Sequence, residues 1–463
     1  MVDTQSDKPF VNLSLVKWHI VLGFTWFMVA ITAGILFAFQ FHQSYPLAGV
    51  ELFSPGRIRM IHTQLVAYGF IANCFLAGLY WAVPRLTGER VTNDRVLGRT
   101  ILIVWNLLIA GTVGLIATGH AQAIEWGETP TMIDPFVLLG LVLVVVQFAV
   151  PLFRCRDQSQ YVSMWYFTGA LAWTGLVYFM GNWFPQYWVP GTGGAAIAGL
   201  YIHDLVGLFV TPIGWGLMYY FVPILLKKPI YSHALSLVGF WGLAFFYPLN
   251  GVHHFLYSPI PMYAQYGAVA STIAVEIVVT TVVVNFFATL RGRGDHLRHN
   301  LPIRWFYVGM VFYFITCLQC AFQVTLTFQK IIHFTDWVVG HSHLVMFGVF
   351  GFWILGMIQY LWPRVTGHEW YSRRQSEWSF WLISSGIVIM FLGLVMAGLV
   401  QGFLWRDLAP FERSLSASTP FWISRSFAGL LIIAGAVLMA HNMWRTARSP
   451  RPADTTGVAP ATA

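Results

Sequence analysis

The sequence predicts an all-α membrane protein of about 12 transmembrane helices, a bundle with no soluble domain, on three observations. Of 463 residues, 57% are hydrophobic and only 10% charged, a balance foreign to water-soluble domains of this length. Apolar runs of about 20 residues, each long enough to cross a hydrocarbon core, recur from end to end. Lys and Arg gather in alternate connections between those runs, as residues retained in the cytoplasm do.

The runs lie at about 15–40, 58–84, 97–119, 133–154, 161–182, 196–225, 232–256, 262–290, 303–329, 338–363, 377–402 and 421–444. With the N-terminus inside, the outer segments hold Arg57, Arg59, Lys330, Arg406, Arg413 and Arg425, and the other twenty of the 26 basic residues fall inside. An even number of spans then puts both termini in the cytoplasm. The net charge of +8 is this bias, so there is no basic domain for nucleic acid. Residues 1–14 read as a cytoplasmic segment without a cleavable signal, 15–445 as one membrane domain, and 446–463 as a disordered cytoplasmic tail rich in Pro, Ala, Thr and Arg. No internal repeat or long linker stands out. Cys74, Cys155, Cys317 and Cys320 read as packing residues, the C-x-x-C at 317–320 included, because it sits at helical depth without a second pair. Trp183, Trp188 and Trp405 at span ends read as an interfacial belt, in contact with membrane lipid.

Function is written in six histidines. His62 enters the second span, His203 the sixth, His253 and His254 end the seventh, and His341 and His343 open the tenth, so all six converge on the outer third of the membrane. Imidazole at that depth is costly unless it binds something, and six at one level on four helices point to metal or haem. At about 100° per residue, His341 and His343 face roughly opposite sides of one helix, so one span serves two centres. His62, with no adjacent histidine, completes a bis-histidine, saturated haem suited to electron transfer, and the other haem keeps an open face. His203, His253 and His254 form a three-imidazole site that suits copper and also fits iron or zinc.

The chain resembles the catalytic subunit of the haem–copper oxidoreductases, most of all the C family, the cbb-type cytochrome oxidases. The resemblance rests on PGRIRMIHT (55–63), YIHDLVGLFVTPIGWGLMYYFVP (201–223), the aromatic segment from Phe240 that ends in GVHH (251–254), and HFTDWVVGHSH (333–343). It implies that His62 and His343 hold a low-spin haem b, His341 a high-spin b-type haem, and His203, His253 and His254 one copper ion. Tyr247, six residues before His253, matches the tyrosine that the family joins covalently to its copper-ligating His203 position and uses as a proton and electron donor. Gly207 stands where nitric oxide reductases place a glutamate for non-haem iron.

The chain departs from that pattern at Asp204 where the family usually has Asn, at Gln319 where it has Glu, and at His233 and Gly239 on the proton path. Proton supply is expected along Tyr219, Tyr231, Ser232, His233 and Ser236 toward Tyr247, with Thr316, Gln319 and Gln323 beside it. Arg57 and Arg59 are candidates for haem propionates, Glu125 for a calcium ion, and Asp336 and Trp337 for setting the tenth span or hydrogen-bonding a propionate. The resemblance implies a multi-pass terminal oxidase of the bacterial inner membrane that reduces O2 to water with proton uptake. Its electrons come from cytochrome c through a separate c-type haem subunit, because the sequence has no C-x-x-C-H attachment motif. The alternative is a nitric oxide reductase on the same scaffold, turning 2 NO into N2O at non-haem iron. A channel or transporter accounts for twelve spans but not for the histidines.

Overall fold

The computed structural model describes residues 10–155 and 161–449; most of the predicted N-terminal segment and of the tail lies outside the described residues. Among the described residues, twelve long helical spans follow one another. They are α1 (Leu13–His42), α2 (Pro55–Thr87), α3 (Leu97–Ala117), α4 (Asp134–Arg154), α5 (Val162–Trp183), α6 (Gly191–Leu226), α7 (His233–Phe255), α8 (Met262–Leu290), α9 (Leu301–Gln323), α10 (Asp336–Thr366), α11 (Arg373–Arg406) and α12 (Phe411–Ala447). Eleven are long and apolar enough to cross a membrane. The twelfth, α5, has 22 residues but dilutes its apolar run with Ser163, Asn182 and several Trp and Tyr.

Five of these spans start at a side-chain cap. Asn12, Ser232, Asn300 and Ser372 accept the orphan N–H three residues on, and Thr335 does the same for Trp337. The predicted boundaries shift most at α12, which begins at Phe411 rather than near 421. The polar stretch from Glu412 to Thr419 is wound into helix, with Pro410 just before it. Past α9 the chain breaks and forms a short helix, Leu326–Ile332, instead of prolonging the span.

α2, α6 and α10 make the centre of the bundle. Their most apolar stretches are 94%, 94% and 83% buried, against half or less for the windows of the other eight. These three share a further design. Each carries its histidine or histidines, then a wide-wound π segment (Leu65–Ile71, Leu205–Val210, Leu344–Gly351), then a proline four residues before a left-handed stop. The pairs are Pro84 with Gly88, Pro223 with Lys227, and Pro363 with Gly367. A matching clamp joins α7 to α8 and α11 to α12. Asn285 exchanges hydrogen bonds with the Ser232 backbone, and Asn442 does so with Ser372. A local pattern of histidine, π segment, proline and left-handed stop therefore recurs on the three central helices. In sequence it shows as P-R-L-T-G (84–88) and P-R-V-T-G (363–367).

Candidate functional site

All six histidines sit near the face of the bundle opposite the N-terminus. A π segment begins two to three residues after His62 and His203 and directly after His343, displacing the helix where a side chain must be aimed inward. The five rings other than His253 lie deep in the bundle yet keep accessible surface, which requires internal space beside them.

His62 and His343 face each other across α2 and α10, with ring centroids 6.2 Å apart and planes within 20°. Nδ1–H of His62 donates to the Ala30 carbonyl at 2.7 Å, and that of His343 to Val339 at 2.8 Å. A carbonyl only accepts, so these bonds fix the tautomer and leave both Nε2 lone pairs free. The separation matches an imidazole–metal–imidazole span with metal–nitrogen bonds of about 2.0–2.1 Å. Gly34 lets the ring in, since a Cβ there would lie 2.9 Å from two His62 atoms.

Two residues earlier on α10, His341 turns the other way, toward α9. Its Nδ1–H donates to Gln319 Oε1 at 3.1 Å, and its Nε2 lies 3.5 Å from Cys320 Sγ. Gln319, expected along a proton route, therefore acts here as the neutral acceptor that orients His341. Cys320 is not plain packing: it adjoins the imidazole.

His203, His253 and His254 bring one nitrogen each within 4.8 Å of one another. His203 Nδ1 is 3.3 Å from His254 Nε2, while His203 Nε2 is buried with no hydrogen-bond partner. Thr272 Oγ1 spends its proton on Ala268, so at 2.7 Å it accepts from His253 Nδ1–H and leaves Nε2 of His253 as a ligand. His333 Nε2 reaches the His254 carbonyl at 3.3 Å. Three neutral imidazoles and an orphaned nitrogen fit a copper ion.

Tyr247 stacks on His203 with centroids 4.7 Å apart and planes 20° from parallel. It lies directly against Gly207, where a Cβ would come within 1.8 Å of the tyrosine ring. Any side chain at 207, the glutamate of nitric oxide reductases included, is therefore incompatible with Tyr247 in this position. Asp204 is buried, with Oδ1 unpartnered.

The outer carboxylates fall differently from expectation. Glu125 points to solvent, and the carboxylate that turns inward is Glu128, which accepts from Gln64 at 2.7 Å and Thr63 at 3.3 Å. Burial holds the Glu128 carboxyl above its usual range against the opposing pull of Gln64 and Arg59. Arg59 lies 4.0 Å from Glu128, and Arg57 pairs with Glu51 at 3.0 Å and with the Ala117 carbonyl. Arg425 was missed as a site residue. It is buried in α12, over Phe41 at 4.9 Å, and near enough to His62 and His343 for its charge to act on both. A guanidinium at such depth costs roughly 2.5–3.5 kcal/mol on insertion scales unless an anion meets it, and that cost is the signal its place in an apolar run offered. Asp336 accepts from Gln401 and Trp422, both at 2.7 Å, which anchors the start of α10.

The residues read as a proton route divide. Tyr231 and His233 are exposed at the N-terminal face, Ser232 caps α7, and Ser236 donates to the His233 carbonyl. Tyr219 is buried, its hydroxyl 3.4 Å from Asn285 Nδ2. Thr316 donates to the Tyr313 carbonyl and Gln323 accepts from Trp337. Gly239 adjoins the Tyr166 hydroxyl and Thr281, so the polar group at that level comes from α5 and α8.

Fold and site together define a multi-span membrane protein that presents imidazoles to metal in its core. The model of the family described as Cytochrome C and Quinol oxidase polypeptide I matches residues 14–431, and the chain belongs to that family. It is 28% identical to cytochrome c oxidase subunit 1 of Rhodobacter capsulatus, over 100% of this chain and 90% of that protein. It is 27% identical to the cbb3-type cytochrome c oxidase subunit CcoN1 of Stutzerimonas stutzeri, over 96% of each. Among solved structures, a heme-copper terminal oxidase dimer has the same fold, with a TM-score of 0.76 at 13% identity over 97% of this chain and 88% of that one.

Proposed function

We propose that the chain is the catalytic subunit of a terminal oxidase that reduces O2 to water with electrons from a cytochrome c. The contact of Tyr247 with both His203 and Gly207 carries this reading. It sets a phenol beside a three-imidazole site and leaves no room for a side chain at 207, which supports O2 over nitric oxide as the substrate.

In this reading His62 and His343 hold the low-spin haem b, His341 the high-spin haem, and His203, His253 and His254 the copper. The bound groups supply one-electron transfer and a place for the diatomic substrate. The protein fixes the imidazole tautomers through Ala30, Val339, Thr272 and Gln319, keeps water out, and holds a proton on the Tyr247 hydroxyl. Arg425 balances a haem propionate, and Glu128 in place of Glu125 takes the calcium position. Basic residues concentrate at the N-terminal face, which supports a cytoplasmic location for both ends and proton entry there. Electrons enter from the histidine face through a separate c-type haem subunit.

Mass spectrometry of the purified protein tests this reading. The peptides that contain His203 and Tyr247 are expected as one covalently linked species. Separate, unmodified peptides from active protein would contradict it.

A further inference from the structure

The carboxylate missing at position 319 has a counterpart one helix away. Glu276 lies at the midpoint of the 29-residue α8, and its Oε1 is buried without a hydrogen-bond partner. An ionisable group at mid-membrane depth that stabilises nothing by bonding is retained for what it does. One helical turn before it stands Thr272, which holds Nδ1 of His253. Residues four apart share a helix face, so Glu276 lies one turn further from the histidine face, under the same centre.

α8 packs on α7 and on α9. From α9, Tyr313, Cys317 and Cys320 all lie close enough for the charge of Glu276 to act on them. Tyr313 and Cys320 in turn bear on Tyr247 of α7, and Cys320 touches His341. Among the described residues, these are the titratable groups on which its charge acts. Toward the N-terminal face, α8 continues with Thr281, which adjoins Gly239 as the Tyr166 hydroxyl does, and with Asn285 beside the Tyr219 hydroxyl. Tyr166 and Tyr219 stack at 6.0 Å. Polar groups thus flank Glu276 on both sides along the membrane normal.

We propose that Glu276 is the proton-carrying carboxyl of this chain's active centre, standing between the N-terminal face and Tyr247. The carboxylic O–H bond of Glu276 breaks and, through the Tyr313 hydroxyl, an O–H bond forms on the Tyr247 phenolate. Glu276 is left as carboxylate and regains a proton from the Tyr166 side, with no electron moving in either step. This rests on the oxidase reading above.

The test uses the complete purified complex with Glu276→Gln and Glu276→Asp. Three quantities are read: metal content, the protonated-carboxyl band in redox-difference infrared spectra, and O2 consumption. Glu276→Gln should keep its metals, lose the band, and turn over about 10²-fold more slowly. Glu276→Asp should shift the band and recover most of the rate. A merely structural Glu276, having no bond to lose, would leave band and rate unchanged. If Glu276→Gln does not assemble, the Asp variant decides alone: a shifted band supports the proposal and an unshifted one overturns it. An unaltered band in the variants together with wild-type turnover would also overturn it. Failure of the oxidase reading shows separately, as absence of copper from the unsubstituted protein.

Discussion

Replacing His343 with alanine is expected to abolish the low-spin haem and, with it, electron delivery to the centre. The two rings of this pair meet at 6.2 Å because each is held from behind by a carbonyl, so neither compensates for loss of the other. Changes in such outer contacts alone typically cost about 10- to 100-fold in metal affinity or activity; loss of the ligand itself should exceed that. Visible spectra of the purified variant should lose the bis-histidine signature while retaining the His341-bound haem, because His341 faces α9 and shares no contact with His62. O2 consumption should fall to background. If both haem signals survive, the assignment of His343 to His62 is wrong.

Tyr247→Phe is expected to be a catalytic rather than a structural lesion. Phenylalanine keeps the ring that stacks on His203 and fills the space at Gly207, so the fold and metal content should be unchanged. The hydroxyl is lost, and with it the link to His203 that only a phenol can form. If that hydroxyl delivers a proton during O–O cleavage, turnover should drop by about 10²–10⁴-fold. A packed tyrosine would predict turnover near normal, and stopped-flow or oxygen-electrode rates on the metal-replete variant separate the two.

How much of this was legible in the sequence depends on the range of the interaction involved. The spans were readable because the bilayer imposes one rule along the whole chain: about 20 apolar residues with every backbone group paired internally. The six histidines were readable because their chemistry is rare at that depth, and even the opposed directions of His341 and His343 follow from helical spacing alone. What escaped depends on neighbours distant in sequence. Glu125 and Glu128 lie three residues apart in one loop, and only the packing of that loop on Gln64 decides which turns inward. Arg425 counted as a surface charge near a span end, yet α12 starts ten residues earlier and carries it into the core. Glu276 is one acid in an apolar run, and its meaning comes from α9 and from Thr272. The π segments have no evident local sequence code; they arise where three central helices must aim imidazoles at a common interior. The exclusion of a side chain at Gly207 by Tyr247 joins α6 to α7 and exists only in the folded bundle.

The measurement that bears most directly on the account is copper and non-haem iron per chain in the purified complex, taken before and after His253→Ala. One copper per chain and no non-haem iron, with the copper lost in the variant, is the predicted result. Non-haem iron in place of copper would contradict it and assign the three-histidine site to nitric oxide reduction.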